Sequence, residues 1–340
     1  MLGNSASARP GGRVTRDRPD GGTQAGFGGE PKMEGSFTVY LAAEGFLPDL
    51  LAELEAASPG CVLETRERLV LARGAALPAA WAQAVWLDPF FLPIDSIGDA
   101  ARKLTAIQRN WRVHPVGHHR RAALIQEKLP HVSAKPLVFG ETPPTARLGA
   151  WTLWEEHLAL ASPAITPPFP DGAIRFEENR VDPPNRAYLK LWELFTLLPV
   201  RPRPGDLCVE LGSAPGGWTW VLANLGARVF SIDKAPLDPR VEALPGVHHC
   251  LGSGFALDPR HVGAADWFFS DMICYPERLY ECVRRWMDHG LCRNYVCTLK
   301  FRGATDHATA ARFAALGTLR HLSCNKHELT WVSLAADRKS

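Results

Sequence analysis

The spacing of apolar positions changes character near residue 175. Upstream, "FTVYLAAEGFLPDLLAELEAA" (37–57) reads as a strand followed by an amphipathic helix, and "CVLETRERLVLAR" (61–73) alternates as paired strand segments do. With the apolar run 80–94 these predict a small α/β module. Helical spacing follows at about 98–112 and 119–129, and the proline-rich "SPAITPPFPDG" (162–172) reads as a linker. Downstream, "NRAYLKLWELFTLL" is helical. Strands are then predicted at 206–211, 228–233, 247–252, 267–272 and 294–301, helices at 217–225, 276–290 and 305–316, and a last strand pair at 318–324 and 328–334. Strands alternating with helices predict a mostly parallel sheet covered on both faces. Its ligand belongs outside the carboxyl ends of the strands, where the topology switches direction.

Composition sharpens the boundaries. The first 35 residues are rich in Gly, Arg, Pro and Ser with no apolar period, which predicts a disordered extension at 1–35. They lack the apolar core of a secretory signal, and Met33 offers an alternative start. An accessory region at 36–165 and a second domain at 166–340 follow. Apolar content of 46% and charged content of 22% are ordinary for a globular chain, and no run reaches a membrane span. The eight cysteines stand singly, without a C-x-x-C pair, so they read as reduced core residues of a cytoplasmic protein with no structural metal. Net charge is only +2, yet residues 101–136 carry eight Lys and Arg against Glu127 alone. Such a block serves either as a solvated face or as a surface for RNA phosphates.

The chemistry concentrates on "DLCVELGSAPGGWTWVLANLG" (206–226), a strand, a glycine loop and a helix. The dinucleotide fingerprint would want glycine at 214, where Ala214 stands, and Pro215 stiffens the turn. Asp233 ends the next strand 21 residues after Gly212, a position suited to a ribose. NAD and S-adenosylmethionine both satisfy that placement. Four further polar residues fall on this half of the chain: Lys190 on an apolar helix, Asp271 and Lys300 at strand ends, and Glu328 opening the last strand. Each alone reads as a surface charge or a cap. Together they suit a reaction that moves a proton and a positive charge.

In order, "NRAYLKLWE", "VELGSAPGGWTW", "FSID", "SDM", "CTLKF" and "HELTWVSL" resemble the FtsJ-like ribose 2′-O-methyltransferases, and most of all the large-subunit rRNA methyltransferase M (RlmM) family. The resemblance covers roughly residues 175–335. It implies an α/β fold with a Rossmann-like S-adenosylmethionine-dependent methyltransferase sheet, preceded by a smaller accessory domain, ferredoxin-like and THUMP-like, that binds RNA. It implies Lys190, Asp271, Lys300 and Glu328 as the catalytic tetrad. The cofactor S-adenosylmethionine would lie against Gly212, Ala214, Pro215, Gly216, Gly217, Trp218, Asp233, Ser253 and Asp271. Ser253, in "LGSGF", stands where an aspartate contacting adenine is expected. The implied reaction is 2′-O-methylation of RNA, with large-subunit rRNA as partner, by a monomer. The same reaction on tRNA or another RNA, and an inactive RNA-binding homologue, are the readings that share these residues. Within the tetrad Lys300 reads as the proton acceptor, Lys190 and Glu328 as positioning groups, and Asp271 as the bridge to the cofactor.

Overall fold

The first strand, β1 (Phe37–Ala42), is apolar at every position but one, so it needs cover on both faces, and it receives it. A computed structural model describes residues 35–335; the segment 1–34, and with it nearly all of the extension expected at 1–35, lies outside the described residues. After β1 come α1 (Leu47–Ala57), β2 (Val62–Arg66), β3 (Leu69–Arg73) and β4 (Ala82–Leu87). Next are β5 (Phe90–Pro93), α2 (Ile97–Ile107), β6 (Trp111–Val113), α3 (His119–Lys128), β7 (Gly149–Glu155), β8 (Leu158–Ser162) and β9 (Ala164–Thr166). They build two sheets, β2-β3-β1-β4-β9 and β5-β8-β7-β6. Alternate residues of β1 serve different layers. Val39 and Leu41 meet Ala150, Trp154 and Leu160 of the second sheet, while Tyr40 and Ala42 join Leu50 and Leu54 of α1. Helices α2 and α3 cover the far side of the second sheet through Leu104, Ala122 and Ile125 against Trp151 and Leu153.

Two sequence expectations fail here. The helix expected over 98–112 stops at Ile107, and Trp111 enters β6, where it pairs with β7 and buries its ring completely. Within the passage read as a linker, Ala164–Thr166 forms β9, paired with Val85–Leu87 at the sheet edge. Prolines flank that strand rather than interrupt it, which an edge position tolerates.

The second half follows the alternating pattern: α4 (Tyr188–Leu197), β10 (Leu207–Leu211), α5 (Gly217–Asn224), β11 (Arg228–Asp233), α6 (Pro239–Glu242), β12 (Val247–Leu251), α7 (Pro259–Val262) and β13 (Ala265–Ser270). Then come α8 (Pro276–Asp288), β14 (Cys292–Lys300), α9 (His307–Ala314), β15 (Thr318–Arg320) and β16 (Glu328–Ser333). One sheet results, β12-β11-β10-β13-β14-β16-β15, parallel from β12 to β14 and antiparallel where β16 meets its two neighbours. Adjacent residues again feed opposite layers. Phe268 and Cys297 pack under α8 and α9, whereas Phe269 and Val296 pack under α4 and α5. The order reverses between β10 and β13, so their carboxyl ends open a crevice.

The accessory sheets rest on this crevice's flank. The Trp81 ring lies 6.0 Å from Phe301 and 5.3 Å from His321, Phe46 stacks on His327 at 5.3 Å, and the His321 amide donates to Ala80 O at 2.8 Å. The strands that carry Lys300 and Glu328 are therefore backed by the N-terminal module.

Candidate active site

Strand register brings the first pair together. Lys300 and Glu328 are direct partners across β14 and β16, so both side chains emerge on one face. Lys190 arrives from α4, whose residues 188–195 are all buried, and an ammonium on such a helix needs anionic partners. It finds two, Glu328 Oε1 at 2.6 Å and Asp271 Oδ1 at 3.3 Å. Asp271 follows the end of β13 and also accepts Lys300 Nζ at 3.0 Å, while that amine donates a second bond to the Asp271 carbonyl at 2.6 Å. Side-chain exposure is 10% for Lys190 and Glu328, 17% for Asp271 and 21% for Lys300, so Lys300 has the greatest access to solvent. All four expected residues thus meet in one cluster of two cations and two carboxylates. Burial by itself pulls the Lys190 amine down, but the two carboxylates beside it more than offset that, and Lys190 stands above its usual value. It is held as a cation.

The glycine loop lies beside this cluster. Gly212 donates to Ile232 O, the Ala214–Pro215 peptide is cis, and Gly216 takes φ +112° before α5. Asp233 ties the loop down, accepting from Ala214 N at 3.0 Å and Ala235 N at 3.0 Å. The bareness of the loop answers first to the chain itself. A Cβ on Gly212 would lie 2.6 Å from Met272 Cγ, one on Gly216 would lie 2.9 Å from Val241 Cγ1, and one on Gly217 would strike Asn185 Oδ1. Trp218 is 2% exposed and its indole N–H donates to Ala187 O at 3.0 Å, so its side chain docks α5 on the start of α4 and only its backbone faces the loop. Ser253 sits at the end of β12, next to Gly252, whose amide donates to Asp233 O at 2.8 Å. Two hydroxyls here, Ser213 Oγ in the loop and Ser270 Oγ beside Asp271, are buried with no hydrogen-bond partner among the described residues. Buried donors are seldom left so, which fits a polar ligand at this edge.

Two buried acids escaped the sequence reading. Glu210 on β10 donates no charge to the site: burial raises its carboxyl to about 8, and Thr219 Oγ1 bonds it at 2.6 Å. Glu193, one turn after Lys190, is raised by burial to about 7 and accepts the Ser323 amide and hydroxyl. It pins the loop 321–325 that leads into Glu328, a stretch expected to be strand beyond Arg320. The signal was available, since a charge in a wholly apolar helix must have a buried partner.

A separate cleft lies elsewhere. About 700 Å³ opens between the accessory sheets and residues 321–325, lined by Arg68, Arg112, Lys135, Arg147 and Arg175 against Glu44 and Asp171. Asn325, on its wall, donates to Glu328 O at 3.2 Å, so the cleft borders the cluster. The basic block 101–136 splits: Arg112, His131 and Lys135 line the cleft, Arg102 and Lys103 pair with Asp99, and Arg120 and Arg121 sit on α3 outside the lining. Among the described residues no group of three His, Cys, Asp or Glu could hold a metal ion, and no helix is long and apolar enough to cross a membrane.

Comparison with known proteins places these features. A curated protein of Xanthomonas oryzae pv. oryzae named ribosomal RNA large subunit methyltransferase M is 35% identical over 210 residues, covering 59% of this chain and 56% of that protein. One of the same name from Aromatoleum aromaticum is 34% identical over 194 residues, covering 55% and 51%. The chain spans about half the length of these relatives. Among solved structures, TrmN from Thermus thermophilus covers 87% of this chain and 98% of its own at 14% identity, with a TM-score of 0.34. The family model described as FtsJ-like methyltransferase matches residues 183–274, the stretch that holds Lys190, the glycine loop, Asp233 and Asp271. Residues 183–274 of this chain thus resemble an FtsJ-like methyltransferase domain.

Proposed function

We propose that the protein transfers a methyl group from S-adenosylmethionine to a ribose 2′-hydroxyl of RNA, with large-subunit rRNA as the target. The observation that carries this reading is the contact of two lysines with two carboxylates at the strand ends beside the glycine loop. The cofactor fits the donor set there. Asp233 and Ser253 would offer a carboxylate and a hydroxyl to a nucleoside, the Ser213 hydroxyl lies in the loop with no partner among the described residues, and the N-terminus of α5 favours a carboxylate. When bound, S-adenosylmethionine supplies a methyl group already activated by its sulfonium.

The chain's own residues then align the 2′-oxygen and hold its proton. Lys300 is the acceptor: it is the most exposed of the four and reaches Asp271 from the solvent side. Lys190, fixed as a cation between Asp271 and Glu328, is unsuited to take a proton and serves to position both carboxylates. Only RNA offers the 2′-hydroxyl, and the basic cleft supplies phosphate contacts next to the reacting edge. Residues 36–165 are, in this reading, the RNA-binding accessory domain. The relatives' printed name favours large-subunit rRNA over other RNA. Purified protein, labelled S-adenosylmethionine and unmodified large-subunit rRNA or tRNA test it. Label retained as a 2′-O-methyl nucleoside in the rRNA supports the proposal; label in tRNA alone, or none in either, overturns it.

A further inference from the structure

Most large apolar side chains of this protein are buried, yet two outward-pointing ones stand next to the ionic cluster. Ile273 is 76% exposed and Tyr275 66% exposed, two and four residues after Asp271. Between them the chain alternates: Met272 is 8% exposed, packed against Gly212, and Cys274 is half-buried with its thiol bonded to Met272 O. Ile273 and Tyr275 on either side of the bend at Cys274 are thus both turned to solvent. Tyr275 is also held in place. It caps α8, its carbonyl accepts from Leu279 N at 3.2 Å, and Pro276 follows. The Arg302 guanidinium comes from the other side of the cluster, two residues after Lys300, to within 5.9 Å of the Tyr275 ring centroid. Lys300 itself bonds the Asp271 carbonyl at the root of the segment and its charge reaches Cys274. Tyr275 and Arg302 thus meet from two separate segments, one following Asp271 and one following Lys300.

We propose that Tyr275, backed by Arg302, is the platform on which the base of the target nucleotide stacks. The proposal rests on the methyl-transfer reading and adds what receives the base. Geometry of the substrate requires a base close by. The 2′-oxygen is carried on C2′, and the base on the bonded neighbour C1′, so a ribose presented to Lys300 brings its base within a few bonds of that amine. An unstacked base seeks an aromatic or guanidinium plane, and this edge offers both. Val181 and Leu251 are comparably exposed but carry no ring. An exposed ring on a fixed backbone beside a cation suits an RNA base better than an apolar protein partner, which would leave Arg302 unpaired.

The test uses the full chain, labelled S-adenosylmethionine and unmodified large-subunit rRNA in single turnover at varied RNA concentration. Tyr275→Ala raises the half-saturating RNA concentration roughly 5- to 150-fold, the range of one lost base-stacking contact. Cofactor affinity by calorimetry stays at the wild-type value. Tyr275→Phe and Tyr275→Trp keep RNA affinity, whereas Tyr275→Leu, equally apolar but without a ring, behaves as the alanine variant. Leucine that restores affinity shows a merely apolar contact and overturns the platform. Transfer by Tyr275→Ala at wild-type RNA dependence also overturns it, while leaving the methyl-transfer reading intact. A wild-type protein that methylates no RNA removes that reading and the platform with it.

Discussion

The ionic cluster and the basic cleft use the same residue types in opposite ways. Lys190, Asp271, Lys300 and Glu328 are mostly buried, charge-balanced and locked by contacts of 2.6 to 3.3 Å. In the cleft, Arg112, Lys135, Arg147 and Arg175 outnumber the acids and make no ion pair among the described residues. A buried, balanced cluster fixes geometry, so removing one member leaves a partner uncompensated and costs much. An open, unbalanced surface attracts a polyanion by accumulation, so each member contributes a little. One arrangement suits chemistry and the other suits attachment.

The sharpest way to break this contrast is Lys300→Arg. Arginine keeps the charge and cannot deprotonate near neutral pH. If Lys300 accepts the proton, single-turnover methyl transfer falls on the order of 10²–10⁴-fold with cofactor binding retained. Wild type gains rate with rising pH, since a lysine base works only as the neutral amine, and the arginine variant loses that dependence. An active arginine variant with the wild-type pH profile would make the cluster merely electrostatic. Lys190→Ala differs in kind. It leaves Asp271 and Glu328 without their shared cation, so it lowers stability together with activity, by about 3–5 kcal/mol for a broken buried pair, read by urea unfolding.

The two regions also differed in how much their sequence disclosed. The seven-stranded sheet was legible because its central strands are buried on both faces and read as apolar runs between helices. Lys190, Asp271, Lys300 and Glu328, each ordinary when taken alone and marked only as a set, are brought together by the fold. The accessory region was not legible to the same degree. Its strands β6 and β9 hold three residues each, too short for a period to show, and the cleft is lined from many separate segments. Hence the contiguous block 101–136 supplies only part of the cleft's basic lining, while Arg68, Arg147 and Arg175 went unnoticed. Linear charge density records neighbours in sequence, and a cleft is built from neighbours in space. Trp218 shows the converse limit, since a residue next to a ligand loop can still point its ring into the core.

A second test asks whether the cluster's charge balance is protected. Glu210 lies on the strand feeding the glycine loop, and its carboxyl is raised to about 8, first by burial and then by Asp271 and Asp233. Kept neutral, it adds no third negative charge to this edge. The sign follows from linkage. The folded value lies above the unfolded one, near 4.5, so the contribution is fully present below that value and is lost as pH rises toward 8. Glu210→Gln keeps an oxygen for the Thr219 hydroxyl and has no proton to lose. Between pH 5 and pH 8 wild type therefore loses stability relative to the variant, on the order of 3 kcal/mol by urea unfolding. Parallel pH curves for the two proteins would place an ionised Glu210 in the fold and spoil the balance argued for the cluster.

The smallest effects are expected in the cleft, and their smallness is the point. Arg147→Ala removes one cation that has no ion-pair partner among the described residues, so neither folding nor cofactor binding changes. If that cation meets a phosphate of single-stranded RNA, the slope of log affinity against log salt flattens by about 0.7, and by about twice that in the double variant with Arg112→Ala. Over a four-fold rise in salt, one such contact corresponds to about a three-fold difference in affinity, measured by fluorescence anisotropy with labelled RNA. Methyl transfer at saturating RNA stays at the wild-type rate. Arg120→Ala serves as the control, since Arg120 belongs to the same stretch of sequence but lies on α3 outside the cleft lining. Equal flattening by Arg120→Ala would return RNA attachment to the contiguous block and detach the cleft from it. A fall in the saturated rate with Arg147→Ala would mean that the cleft aligns the ribose as well as holding the strand, and the division between fixed chemistry and additive attachment would fail at that residue.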